Sequence, residues 1–208
     1  MLGCSLSAQR GYANYLELQG NEVINLARSA GSNDLQQFLL GECFMQGKID
    51  RESTIIWQIT GLQRKSLVLE KFDPNFCNGS VSAGRHDWVP INLCMSGEYK
   101  VWLLSNNTLV PKYYADESVL LQNLAIDIYR WSLLVKKIIV VMGWKDIAVK
   151  ESLQSFLDWL TSKQILVIPL EQSIVDWCRT TGQEFSDDEH PAESGYIHWC
   201  KHNLERLL

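Results

Sequence analysis

The sequence predicts an α/β fold in which helices pack on a mostly parallel sheet. Three observations carry this expectation. First, short and almost wholly apolar runs recur at Val23–Leu26, Thr54–Ile59, Lys137–Met142 and Gln164–Ile168. Runs of that length are strands, and continuous apolarity marks a strand covered on both faces. Second, the stretches between them space apolar residues at i, i+3 and i+4, the pattern of a helix with one buried face. Third, the two patterns alternate along the chain, as they do in layered α/β domains.

The elements follow in order. Ser32-Asn33-Asp34 offers helix N-cap side chains, and Leu35, Phe38, Leu39 and Cys43 then share one helical face. Thr54–Ile59 is rich in β-branched residues and stops near Gly61. From Leu67 to about Pro111, Gly, Asn, Ser and Pro interrupt short apolar runs, and Glu98–Leu103 alternates weakly. This predicts an insertion of loops and a hairpin at about 67–111, within a single domain spanning 1–208. Leu121, Leu124, Ala125, Ile128 and Val135 predict a long amphipathic helix leading into the strand Lys137–Met142, which Gly143 closes. Leu153, Phe156, Leu157 and Leu160 mark the next helix, and Pro169 ends the strand Gln164–Ile168. Helices at 173–180 and 191–207 complete the chain, Pro191 standing where a helix opens.

Composition narrows the class. The chain has 208 residues, 46% hydrophobic and 21% charged, which excludes a disordered or fibrous protein. A net charge of -5 argues against a nucleic-acid surface. No apolar run approaches the roughly 18–20 residues of a membrane span, and the amino terminus lacks a signal-peptide pattern. The six cysteines form no C-x-x-C pair, which predicts free thiols in the cytoplasm and no structural metal. Eight tryptophans supply core volume and, in part, surfaces on which sugar rings can stack.

In a parallel sheet, ligands bind beyond the carboxyl ends of the strands. Four groups fall there or at a chain end: Gly3–Ser7, Ala30–Asn33, Thr60–Arg64 and Asp187–Pro191. A carboxylate three residues before a histidine can turn back to the imidazole Nδ1–H, so Asp187 can orient His190 as a base. Ser5 is the candidate nucleophile, since a serine hydroxyl needs such a base. Backbone N–H groups at Gly31 and the amide of Gln63 are candidate oxyanion donors. Asn33, Arg64, His86 and Trp88 are candidates for binding substrate, with Asp87 and Trp102 in the same inserted stretch as the last two. Each group also has a plain structural role: Ser5 as a cap, Gly31 as a turn, Gln63 as a solvated loop residue, Asp187–His190 as an acidic loop before a helix.

The order of the four groups, and above all Asp187-Asp188-Glu189-His190-Pro191 running on to Gly195-Tyr196, resembles the four blocks of the SGNH hydrolases, or GDSL-like esterases. The resemblance covers nearly the whole chain. It implies a three-layer α/β/α sandwich with a flavodoxin-like, mostly five-stranded parallel sheet. It also implies a Ser5–His190–Asp187 triad, oxyanion donors at Gly31 and Gln63, and no metal or other cofactor. The sequence departs from the pattern in three places. Cys4 stands where the family has Asp before the serine. Gly61-Leu62-Gln63-Arg64 replaces Gly-x-Asn-Asp. Only Met1 and Leu2 precede the first block, so either the first strand is very short or the start is truncated. The expected activity is a serine esterase removing acyl groups, acetyl above all, from a carbohydrate. The partner is a small-molecule or glycan ester, with no nucleic acid and no membrane, and oligomeric state left open. Transfer to a glycan hydroxyl, a catalytically inactive binding module, and Cys4 as a thiol nucleophile are the alternatives.

Overall fold

The computed structural model describes residues 1–3, 11–27, 32–62, 64–69, 81–83, 86–92, 117–145, 150–186 and 190–208, of which 64–69, 81–83 and 86–92 are described by their backbone. Its centre is a parallel sheet of β1 (Thr54–Ile59), β5 (Lys137–Met142) and β6 (Leu166–Val167) in the order β1-β5-β6. β1 and β5 pair residue for residue from Thr54↔Lys137 to Ile59↔Met142, and β6 joins through Ile139↔Leu166 and Val140↔Val167. Two short extended segments widen this sheet. Leu2 forms a parallel bridge to Trp57, its N–H donating to Ile56 O at 2.9 Å and its carbonyl accepting from Gln58 N at 3.1 Å. On its other side the Met1 amino group donates to Ile24 O at 2.7 Å, and Leu26 N donates to Met1 O at 2.9 Å. Donation to one residue and acceptance from the next but one is the ladder of a parallel pair. Across the sheet the order is therefore 24–26, 1–3, β1, β5, β6.

Six α-helices are described: α1 (Gly11–Leu18), α2 (Asn33–Met45), α3 (Glu117–Ser132), α4 (Lys150–Ser162), α5 (Ile174–Thr180) and α6 (Glu193–Trp199). Strand side chains alternate between faces. Ile55, Trp57, Ile59, Ile138, Val140 and Met142 accordingly bury against Leu35, Leu39 and Leu40 of α2, Leu121, Leu124 and Ile128 of α3, and Leu153, Phe156 and Leu160 of α4. Ile56, Ile139 and Val141 bury instead against Tyr12, Tyr15 and Leu16 of α1, Ile174, Val175 and Cys178 of α5, and Tyr196 and Trp199 of α6. Both parities of each strand are thus covered, which is why the strands read as unbroken apolar runs. Each fully buried aliphatic side chain contributes about 1.5–3 kcal/mol.

A second sheet is antiparallel, in the order β2-β4-β3, with β2 (Arg64–Leu69), β3 (Val81–Ala83) and β4 (His86–Asn92). β4 pairs with β2 from Leu69↔Asp87 to Arg64↔Asn92, and with β3 from Ala83↔His86 to Val81↔Trp88. The alternating stretch Glu98–Leu103 lies outside the described residues.

Four expectations need adjustment. Val23–Leu26 forms no strand of its own and only half buries Val23 and Ile24, although Ile24 O and Leu26 N hydrogen-bond Met1. The last parallel strand shrinks to Leu166–Val167, since Gln164 takes a left-handed conformation (φ 63°) to leave α4. Pro191 does not open a helix: it bridges Phe185 in an antiparallel pair, and α6 begins at Glu193. The terminal helix also changes character after Trp199, widening to a π turn over Cys200–Leu204 and tightening to a 3-10 turn over Glu205–Leu207. The reason is local. Asn203 Nδ2 donates to Trp199 O at 3.1 Å and the His202 ring bonds His198 O at 2.9 Å, so side chains occupy carbonyls that a regular ladder would use.

No helix among the described residues is long and apolar enough to cross a membrane. Cys43, Cys178 and Cys200 are buried free thiols; burial pushes the Cys178 thiol up to about 12, and burial together with the neighbouring Cys178 raises that of Cys200. Cys4, Cys77 and Cys94 lie outside the described residues.

The buried Met1 amino group has a testable consequence. Desolvation lowers its pKa to about 5, from 8.0. Between those values the unfolded chain binds a proton that the folded chain does not, so stability rises with pH across that window and falls as the solution is acidified through it. For this 208-residue polypeptide, NMR titration should place the α-amino group near 5. Acylation of that amine at neutral pH should be slow in the native state and fast in urea. An amine titrating near its ordinary value would contradict the buried ladder.

Candidate active site at the carboxyl edge of the sheet

The carboxyl ends of the segments 24–26, 1–3 and β1 lie side by side, and each leads toward one predicted group: Gly31, Ser5 and Gln63 respectively. Those three residues lie outside the described residues, as does Asp187, but their flanks are ordered by specific contacts. Ser32 caps α2, its Oγ accepting from Leu35 N at 3.4 Å. Asn33 then ties the start of α2 to the end of β1: its Oδ1 accepts from Thr60 N at 3.1 Å and its Nδ2 donates to Thr60 O at 3.3 Å. A side-chain amide that satisfies both backbone groups of one residue fixes position and orientation together. The chain that follows Gly31 and the chain that precedes Gln63 are thereby held together.

The other two flanks are joined by α1 and α6. Gly11 opens α1 directly against the Tyr196 ring, where any added Cβ would overlap the ring. Asn14 Nδ2 donates to Glu193 Oε1 at 3.3 Å, Tyr15 Oη donates to Glu205 Oε2 at 3.0 Å, and the Tyr12 and Trp199 rings stand 6.1 Å apart. Ser5 lies between Leu2 in the sheet and Gly11 on Tyr196, and His190 lies three residues before α6. Both termini of the chain therefore converge on the same pair of helices.

His190 sits at one foot of a closed loop. Ser186 donates to His190 O through both its backbone N and its Oγ, each at 2.9 Å, and Ala192 N donates to Glu184 O at 2.8 Å. Residues 187–189, Asp187 among them, lie outside the described residues. Gly195 explains the Gly-Tyr pair downstream. An ideal Cβ there would stand 3.3 Å from the Cβ atoms of Gln183 and Pro191, so a hydrogen lets α6 close on the loop while Tyr196 covers Gly11. His190 is half-buried.

The remaining candidates separate. Asn33 stands at this edge with its amide engaged on Thr60. Arg64 starts β2 opposite Asn92, whereas His86 and Trp88 share one face of β4 at its far end. Six residues of strand, roughly 20 Å, separate the register of Arg64 from that of His86. A groove among the described residues opens at the opposite, amino edge, lined by Met1, Glu22, Lys48, Asp50 and Glu52, and it holds none of the predicted residues. Sequence reading missed the buried polar groups of this edge: Gln36, Gln58, Thr60 and Ser173. Gln36 and the Thr60 hydroxyl have no hydrogen-bond partner among the described residues. Ser173 donates to Asp176 Oδ2 at 2.6 Å, and the same oxygen accepts from Lys145 N at 2.8 Å, joining the end of β5 to the start of α5.

No protein-family profile matches the chain, and no solved structure is similar to it. Aminopeptidase Q of Acinonyx jubatus and of Felis catus are each 34% identical to it over 86 residues, covering 39% of this chain and 9% of theirs. The chain thus spans about a tenth of the length of these curated relatives, and this partial likeness bears on no triad residue in particular.

Two substitutions test the geometry. Asn33→Ala removes both bonds to Thr60 and should cost about 1–3 kcal/mol in urea unfolding. Gly11→Ala drives a methyl into Tyr196 and should cost a similar amount, relieved in part by adding Tyr196→Leu. Full additivity of those two changes would show that the residues do not touch.

Proposed function

We propose that this protein is a serine-dependent carboxylic ester enzyme of the SGNH kind, acting on acyl groups, acetyl above all, carried by a carbohydrate. The observation that carries the reading is the convergence of the chain ends. The segment around Ser5 and the loop around His190 are anchored by helices that touch through Gly11 and Tyr196. The side-by-side carboxyl ends of 24–26, 1–3 and β1 and the helices against both strand parities support a flavodoxin-like, three-layer sandwich. Unpaired buried thiols at Cys43, Cys178 and Cys200 fit a reducing compartment such as the cytoplasm.

In this reading Ser5 Oγ attacks the ester carbonyl carbon while His190 Nε2 takes its proton, and Asp187 holds the imidazole by Nδ1–H. The carbonyl oxygen gains the negative charge and is met by backbone N–H at Gly31 and the Gln63 amide. Collapse breaks the bond to the sugar oxygen, which leaves with the proton from His190. Water, or a second sugar hydroxyl, then resolves the acyl-serine by the reverse path.

Ser5→Ala should lower cleavage of an acetylated glycan or aryl acetate by at least about a thousandfold with the fold intact by circular dichroism. A fluorophosphonate should add its mass to Ser5 in the parent chain alone. Undiminished cleavage by the variant, or no adduct on the parent, would sink the triad.

A further inference from the structure

The terminal helix carries a cluster that the ester chemistry does not use. His198 and His202 stand one turn apart, their rings 4.3 Å between centroids and inclined by 78°. Trp177 of α5 packs on both, at 5.4 Å from His198 and 5.6 Å from His202. His198 is half-buried and His202 exposed, so the pair opens to solvent on one side and rests on the indole on the other.

Two features make this more than a pair of surface histidines. The His202 Nδ1 lies 2.9 Å from His198 O. A carbonyl only accepts, so the neutral ring places its proton on Nδ1 and leaves the Nε2 lone pair outward. A carbonyl-anchored Nδ1–H is the arrangement that orients metal-ligating imidazoles. The backbone is also wound differently here. His202 lies in the π turn Cys200–Leu204, whose Glu205 N donates to Cys200 O. Such turns recur at functional sites because they redirect one side chain, and this one carries His202 next to His198.

We propose that His198 and His202 together bind a borderline first-row divalent cation such as Cu2+, Ni2+ or Zn2+, with water in the remaining positions. An ion that bonds two imidazole nitrogens at about 2.0–2.1 Å needs them only roughly 3 Å apart. Rings 4.3 Å apart meet that need by rotation about their side-chain bonds. Imidazole suits these metals, whereas Mg2+ and Ca2+ prefer oxygen. Bridging two successive turns, the ion would clamp the π turn and rigidify the end of the chain that packs on α1. The site is separate from His190, eight positions upstream of His198 and beyond the start of α6.

The test uses the full, untagged chain. Copper titration should quench tryptophan fluorescence saturably at one ion per chain, and the Cu2+ electron paramagnetic resonance spectrum should show two coordinated nitrogens. His198→Gln and His202→Gln should each weaken binding at least tenfold, while His190→Gln leaves it unchanged. Mg2+ should not compete. A spectrum with one nitrogen or none, or equal binding by the two Gln variants, would overturn the proposal, and the spectrum decides it on the parent chain even if a variant misfolds.

Discussion

The centre of the sheet depends on a very short piece of backbone. Leu2 bonds β1 through both its peptide groups, and Met1 bonds the 24–26 segment on the other side. The Leu2 side chain fixes the register of this segment. It is fully buried among Leu26, Leu35 and Trp57 in the first core. A slip of one residue would turn that side chain to the opposite face and present Met1 or Gly3 to the core in its place.

The rest of the fold closes around it by small residues at close approaches. Gly11 and Gly195 have little in common in sequence, yet both are hydrogens facing α6 or its supporting loop. Gly11 lets α1 lie on Tyr196, and Gly195 lets α6 lie on Gln183 and Pro191. Trp199 completes the contact by donating Nε1–H to Gln172 O at 2.8 Å, so a large core side chain buries its one polar atom satisfied. The termini are thus held together by packing in the second core rather than by ion pairs.

Buried polarity in this protein is unevenly placed. Among the described residues Ser32, Gln36, Gln58, Thr60, Ser173 and Asn203 are almost fully buried; the first five sit at or next to the carboxyl ends of the parallel segments, and Asn203 lies in the terminal helix. The middle of β1 and of β5 is apolar, and their amino ends carry Thr54 and Lys137. A buried amide or hydroxyl without a partner costs about 1–3 kcal/mol, and of these groups the Gln36 amide and the Thr60 hydroxyl have none among the described residues. The described segments that precede Gly31, Ser5 and Gln63 in the chain, 24–26, 1–3 and β1, end side by side at this edge.

Local sequence determined the elements whose signal is local. The apolar runs of β1 and β5 were legible to the residue, because strands covered on both faces need apolar side chains at every position. The Ser32 cap and the faces of α2, α3 and α4 were legible from side-chain oxygen and helical spacing. Order among the candidate groups along the chain was legible too. Tertiary structure alone decided what depends on distant partners. Val23–Leu26 is joined to the sheet through Met1, and Pro191 is extended because Phe185 pairs with it. The π turn follows from where Asn203 and His202 find carbonyls. The role of Asn33 turns on Thr60 being close, twenty-seven residues away in sequence. Periodicity reports which face a residue offers; only the folded chain reports what meets it there.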